Sequence, residues 1–364
     1  MLDICHLGGS RKADKTVYWE LKRKMSIWIV HVEESPELME VLELLFTPEE
    51  AEILSSDAFT APFQDYRTVD EIAYSSGKSR EKVEQTIESL QQKKLIFKCR
   101  DDITGESLYS LLPLERGTIL YLGKIQEQEK RERILPLVQK ICGREKSKES
   151  NITEYPWGRI IPIEKSMVVV NQILPFEEVN VLIKTARSIA VVPCSCRTQN
   201  PCGHPVEVCM GFNDGADYVV RAGFGRYLDI EEALQLLEKT EKAGLVHTTI
   251  NTPRGITFMC NCCVCACPIL RRLKDTKNPR VLTSSGLIPK IDNHKCILCG
   301  KCIEICPLDA LCYPANDDPE VIYLKEKRCV GCGLCSHHCP VEAIEMIKEH
   351  RFPELTFEEV RITV

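Results

Sequence analysis

The sequence has no long apolar run. Its longest hydrophobic patch near the start, Met25-Ser26-Ile27-Trp28-Ile29-Val30, follows the basic Lys22-Arg23-Lys24. That patch is too short to span a bilayer and has no small-residue cleavage site. A cytosolic protein without a membrane partner is therefore expected. Positive charge is not in excess either: the formal charge of −6 argues against a nucleic-acid binder driven by net charge. No G-x-x-x-x-G-K-[ST] phosphate loop occurs, and Gly223-Phe224-Gly225 lacks the remaining glycine of a dinucleotide fingerprint, so a flavin or nucleotide site is unsupported. At 364 residues the chain has room for two or three domains with their own cores. What it has in quantity is cysteine, 21 residues, clustered in a way that points to metal in a reducing compartment rather than to disulfides.

The densest clustering lies near the C-terminus. Cys296-Ile-Leu-Cys299-Gly-Lys-Cys302-Ile-Glu-Ile-Cys306-Pro307 is followed, 33 residues on, by Cys329-Val-Gly-Cys332-Gly-Leu-Cys335-Ser-His-His-Cys339-Pro340. Each half is C-x2-C-x2-C-x3-C-P, the spacing that holds a [4Fe–4S] cube. Two-residue gaps let one tight loop aim three sulfurs inward, and the Cys-Pro step turns the chain away. Gly300 and Gly333 fall where the loop passes close to a cluster or needs a positive φ. Two zinc knuckles fit less well, because such sites use two C-x2-4-C pairs rather than two runs of four, each ending in proline. The stretch resembles the bacterial two-cluster ferredoxins, in which the fourth cysteine of each run serves the other cluster. The resemblance implies one cube on Cys296, Cys299, Cys302 and Cys339, and the other on Cys329, Cys332, Cys335 and Cys306. Cys312 follows the first run and is not expected to ligate, and Cys5, Cys99 and Cys142 are read as ordinary.

The chain before this module divides into segments. Residues 1–35 read as a basic arm, with Arg11 to Lys24 solvated. Residues 36–114 carry a helical stripe (Leu38, Val41, Leu42, Leu45) and then a helix opened by Thr47-Pro48-Glu49-Glu50. A third helix begins at Thr68, and a fourth, capped by Ser79, has Val83, Ile87 and Leu90 as its buried face. Two strands around Leu95–Lys98 and Ser107–Ser110 complete an order that resembles winged helix-turn-helix domains. Pro36–Leu112 contains 16 acidic and 8 basic residues, net −8, and its fourth helix mixes Arg80, Glu81, Lys82, Glu84 and Glu88. DNA affinity rests on neutralised phosphates, so docking to protein or a structural role is favoured over nucleic acid. Residues 115–155 read as a helical connector that Pro136 kinks or interrupts, followed by a polar linker.

Residues 156–283 read as a small α+β domain. The pattern predicts strands at Arg159–Ile163, Met167–Asn171, Ser188–Val192, Asp217–Val220, Leu245–Ile250 and Ile256–Met259. It predicts helices at Pro175–Ala186 and after Asp229, the latter carrying Ile230, Ala233, Leu234 and Leu237 inward and ending at Gly244. Two loops bring nine cysteines: Cys194, Cys196, Cys202 and Cys209, with His204 between, and Cys260, Cys262, Cys263, Cys265 and Cys267. Extended C-x-C segments would put Cys194 and Cys196 on one face, and likewise Cys263, Cys265 and Cys267. An additional Fe–S cluster, zinc, a Cys262-Cys263 thiol/disulfide site and plain packing all remain open, and spacing does not decide which four ligate. Arg197 reads as a carboxylate partner, His247 as a core or edge histidine, and His337 and His338 as exposed.

The assembly is similar to a group of anaerobe proteins labelled 4Fe–4S dicluster-domain proteins. The matching pieces are Cys194-Ser195-Cys196-Arg197, Gly244-Leu245-Val246-His247 and Asn261-Cys262-Cys263-Val264-Cys265. The fold expected is α+β multidomain: a winged-helix-like domain, a Cys-rich α+β domain, and a two-cluster ferredoxin domain over 284–350 with a tail at 351–364. The function expected is electron transfer as a subunit or partner of an anaerobic oxidoreductase, with a redox partner protein. A redox-responsive regulator and a thiol/disulfide reductase are the rival readings.

Overall fold

In the computed structural model the described residues are 16–26, 34–101, 103–114, 126–143, 158–163, 179–250, 256–276, 282–314 and 321–348. Cys5, the strand expected at Met167–Asn171, the linker Arg144–Ser150 and the tail 351–364 lie outside them. Described residues up to 143 form one unit and those from 158 onward another.

In the first unit, helix α1 (Thr16–Met25) corrects the expectation of a solvated arm. Tyr18, Leu21 and Met25 fall on one helical face and are buried, and the Tyr18 hydroxyl donates to the Phe46 carbonyl at 3.1 Å. The basic residues had masked this stripe. Helices α2 (Pro36–Leu45), α3 (Pro48–Leu54), α4 (Val69–Ser76) and α5 (Arg80–Gln92) follow as expected. Thr47 with Glu50, and Thr68 with Glu71, form reciprocal capping boxes that satisfy free N–H groups at both helix starts. Strands β1 (Phe97–Arg100) and β2 (Ser107–Ser110) pair antiparallel, and Arg67 adds a bridge to Tyr109. Helix α6 (Gln128–Gly143) packs against α2 and runs through Pro136 without ending there. With Ile134, Val138 and Ile141 buried, α6 is part of this unit rather than a connector.

The second unit opens on a seven-stranded sheet. Its strands are β3 (Gly158–Ile161), β4 (Ile189–Pro193), β5 (Glu207–Phe212), β6 (Arg226–Leu228), β7 (Val246–Ile250), β8 (Phe258–Cys262) and β9 (Leu282–Thr283), in the order β6-β4-β5-β8-β7-β3-β9. All pairs are antiparallel except β3 with β9. Alternation along β4 sends Ile189 and Val191 into a core with helices α7 (Val179–Thr185) and α10 (Ile230–Lys242). Ala190, Val192 and Cys194 go to the opposite core, which holds Cys209, Cys263 and Ala266. Ile230 is 47 % exposed rather than inward.

Asp217–Val220, read as strand, is instead part of helix α9 (Asp214–Arg221), which follows the short helix α8 (Ser195–Gln199) in the element order. Its two valines favour strand locally, but packing overrides them. Gly215, Ala216 and Val219 are buried, and a Cβ on Gly215 would lie 2.1 Å from the Thr257 carbonyl oxygen. Arg187 holds Asp214 and Asp217 in the first turn at 3.1 and 2.8 Å.

After α11 (Pro268–Thr276), β10 (Leu287–Ile291) pairs with the last strand, β13 (Ile344–Lys348), and β11 (Leu311–Cys312) with β12 (Tyr323–Leu324). Between them lie two loops with the same backbone, offset by 33 residues. Positive φ occurs at Leu298 and Gly331, at Gly300 and Gly333, and at Asp309 and Glu342. Gly300 and Gly333 start the short helices α12 (Lys301–Ile305) and α13 (Leu334–His337). The Ala310 and Ala343 N–H groups donate to the sulfurs of Cys306 and Cys339, each at 3.2 Å.

Candidate metal centres

The repeated loops gather the eight C-terminal thiols into two neighbourhoods. Burial pushes the Cys302 thiol up to about 11, and the nearby Cys296, Cys299 and Cys339 push it in the same direction. Burial likewise raises Cys329 to about 11 and Cys332 to about 12, with Cys306 acting on both. Cys335 is raised well above its ordinary value by burial and by Cys332, Cys329, Cys306 and Cys302. Cys306, Cys329, Cys332 and Cys335 also line one pocket together with Leu308, Val330 and Leu334. Thiols so buried resist ionising on their own, and bound metal removes the difficulty because its charge stabilises the thiolates. The donor set therefore fits a thiolate-ligated cluster in each neighbourhood.

The two segments expected to be extended, Cys194–Cys196 and Cys263–Cys267, are not. Cys194 precedes helix α8 with Cys196 inside it, and Cys263–Cys267 is a turn leading into α11. The nine middle-domain cysteines fall into two groups. One is a largely buried row across β4, β5 and β8, running Cys196, Cys194, Cys209, Cys260, Cys262, Cys267, in which each thiol shifts the titration of its neighbour. The register explains it: Val192 pairs with Cys209, and Met210 with Met259, so the thiols lie side by side at one end of three neighbouring strands. Hydrogen bonds from Cys196 and Cys209 outweigh burial and, with Arg197, hold Cys194 well below the usual thiol range. Their neighbours in the row, Cys209, Cys260, Cys262 and Cys267, are pushed far up.

The other group is Cys202, His204, Cys263 and Cys265, whose ligand atoms all lie within 4.8 Å of one another. Consecutive Cys262 and Cys263 thus belong to different groups. Cys262 ends β8 facing Thr248 at 3.6 Å, whereas Cys263 begins the turn and faces Cys202, also at 3.6 Å. His204 stood between two cysteines in sequence without being read as a donor. Its signal was the pairing of a Cys-x-His with a Cys-x-Cys.

Arg197 lies between the groups, 1 % exposed. It donates to the Asn261 carbonyl at 2.8 Å and to Cys263 Sγ at 3.4 Å, and among the described residues it has no carboxylate partner. Asn261, fully buried, donates from Nδ2 to the Val208 carbonyl and meets His247 Nδ1 through Oδ1, both at 2.5 Å. His247 Nε2 faces Glu241 at 3.6 Å, and Glu241 lies 4.0 Å from His337 Nδ1. His338 Nε2 is 3.4 Å from the Lys242 carbonyl. Both histidines are therefore half-buried against the middle domain rather than exposed.

The cluster loops join the middle domain over a shared core. Cys262, Cys267 and Leu270 pack with Leu308, Val330 and Leu334, and Cys332 touches the same cluster. The Ile163 N–H donates to the Cys332 carbonyl at 3.2 Å. The end of the thiol row at Cys267 is thus the end nearest the Cys332 loop.

Comparison with known proteins adds one family: residues 289–346 match the 4Fe-4S dicluster domain. No curated protein and no solved structure matches the chain. The chain thus carries a 4Fe-4S dicluster domain, which supports an iron–sulfur electron-transfer role. Among the described residues no helix is long and apolar enough to cross a membrane.

Proposed function

We propose that this chain is an electron carrier that receives electrons through its ferredoxin domain and delivers them to the buried thiol row of the middle domain, as a subunit or partner of an anaerobic oxidoreductase. Cys296, Cys299, Cys302 and Cys339 would hold one cube, and Cys329, Cys332, Cys335 and Cys306 the other. Four of the six row cysteines would hold a further cluster. When bound, each cube supplies a one-electron couple. The protein supplies burial, backbone N–H groups aimed at Cys306 and Cys339, and a shared core of packed side chains between the Cys332 loop and Cys262 and Cys267.

The observation that carries this reading is the pocket lined by Cys306 together with Cys329, Cys332 and Cys335. It joins the last cysteine of one run to the first three of the other, as the two-cluster arrangement requires. Protein prepared and reconstituted without oxygen is expected to hold about twelve irons and as many sulfides per chain, with EPR signals on reduction. About eight irons would remove the middle-domain cluster. Zinc alone, with no response to dithionite, would remove the whole reading.

We also read the first unit as a winged helix that docks on protein. Lys78, Arg80 and Lys82, the cations around the start of α5, already pair with Glu52, Asp70 and Glu49 at 2.5 to 2.9 Å. Cations committed to carboxylates leave little to release counterions from DNA. Salt-sensitive shifts of DNA by holo or apo protein would reverse this and favour the regulator.

A further inference from the structure

We infer that Cys202, His204, Cys263 and Cys265 bind a single zinc ion, in a structural site separate from the buried row. The site deepens the reading of the middle domain as metal-bearing, but it does not require the row to hold iron.

The geometry is that of one tetrahedral ion. Zinc bonds of about 2.3 Å to sulfur and about 2.0–2.1 Å to imidazole nitrogen place neighbouring ligand atoms roughly 3.5–3.8 Å apart. Here Cys202 Sγ lies 3.6 Å from Cys263 Sγ, and His204 Nδ1 lies 3.5 Å from both Cys202 Sγ and Cys265 Sγ. Every remaining pair is within 4.8 Å. A cube cannot use this arrangement, because each of its thiolates binds a different iron and the sulfurs stand farther apart. The donors are those of a closed Cys3His structural zinc site, with no place left for water.

The charge balance agrees. Three thiolates around a divalent ion leave one negative charge. Arg197, buried and without a carboxylate among the described residues, puts its guanidinium on Cys263 Sγ. An uncompensated buried cation is costly, and a thiolate held by metal is the anion that compensates it. Arg271, from α11, donates to the Cys265 carbonyl on the outer side.

Local structure delivers the ligands in two short bites. Gly203, at φ +79°, turns the chain between Cys202 and His204, and the turn after β8 presents Cys263 and Cys265. The ion would staple two loops about 60 residues apart in sequence, and loop closure over such a span is where a cross-link constrains the unfolded chain most. Cys202 packs against the core that holds Cys194 and Cys209, while Cys265 at the surface gives the ion a route in.

The test uses the full chain, purified without oxygen. Metal analysis is expected to find about one zinc per chain in addition to iron. Chain produced with cobalt(II) in place of zinc is expected to show the intense visible bands and sulfur-to-cobalt charge transfer of a tetrahedral thiolate site. Cys265→Ser and His204→Ala are expected to release the zinc while iron content and the EPR signals of the reduced clusters stay as in the wild type. The inference is overturned if cobalt gives octahedral bands or does not bind. Zinc persisting in the double variant overturns it too, as does a loss of about four irons in these variants, which would put a cluster here. A Cys202–Cys263 disulfide in freshly isolated protein would do the same. Should the variants not fold, the cobalt spectrum of the wild type decides alone. Loss of cluster signals from the wild type would instead strike the electron-carrier reading and leave the zinc result standing.

Discussion

Replacing Arg197 by methionine separates its role in folding from its role in holding metal. Methionine fills the channel of the aliphatic stem but removes the charge and both hydrogen bonds, at 2.8 Å to the Asn261 carbonyl and 3.4 Å to Cys263 Sγ. A bond involving a charged group contributes about 1.5–3 kcal/mol. In the metal-free protein that loss is largely offset, since an ion no longer has to be desolvated. Stability without metal should therefore move little. In the metal-bound protein Cys263 is a thiolate, and its bond to Arg197 exists at full strength only there. Losing about 1.5–3 kcal/mol from the bound state alone corresponds to metal held about ten- to a hundredfold more weakly. Competition with a chromophoric zinc chelator under nitrogen measures this directly, with thermal unfolding of the stripped protein as its companion. Arg197→Lys should fall between, because one ammonium cannot span both acceptors as the planar fork does. Equal zinc affinity in wild type and Arg197→Met would refute the argument. So would a large drop in metal-free stability with no change in zinc.

Three further outcomes follow from the same structure. Burial raises the pKa of Glu50, but hydrogen bonds from Lys93, the Thr47 N–H and Ser89 outweigh it and hold the carboxyl below its ordinary value. A depressed pKa stabilises the fold above the unfolded carboxylate value and loses that contribution as pH falls through the folded one. Glu50→Gln should therefore cost about 1.5–3 kcal/mol near neutral pH and less below about pH 4, read by hydrogen exchange in Pro48–Leu54 and Arg80–Gln92; equal cost at both pH values would contradict this. Gly331→Ala places a methyl 2.5 Å from the Leu287 carbonyl at φ +70°, whereas the equivalent Leu298 already carries a side chain. It should weaken the Cys329 loop alone, removing the signal of that one cube from the EPR of the reduced protein and leaving the others, and an unchanged spectrum would count against it. Asn261→Ala strands the Val208 carbonyl and His247 Nδ1, each costing about 1–3 kcal/mol when buried without a partner. A clear fall in the melting temperature of the metal-stripped chain is the expected reading, and no change would mean water replaces the amide.

Much of the ferredoxin domain was legible because its information is local. Three cysteines of each run sit within seven residues, and the glycines and prolines that shape the loop lie among or just after them. Capping residues at Thr47, Thr68, Ser79 and Asp229 were legible for the same reason, since a cap and its partner are three residues apart. Helix α1 was hidden because basic residues crowd its buried stripe, and α9 because Val219 and Val220 favour strand until Gly215 is seen against Thr257.

Sequence by itself thus determined that the chain carries two four-cysteine runs suited to cubes and nine more cysteines in two middle-domain stretches, 194–209 and 260–267. Only the tertiary structure decided how those nine divide. Strand order places β4, β5 and β8 side by side and so aligns six thiols that are up to 73 residues apart. The end of β8 then changes the backbone from strand to turn between Cys262 and Cys263. One peptide bond sends neighbouring side chains to different centres, and no spacing rule along the chain contains that change of direction.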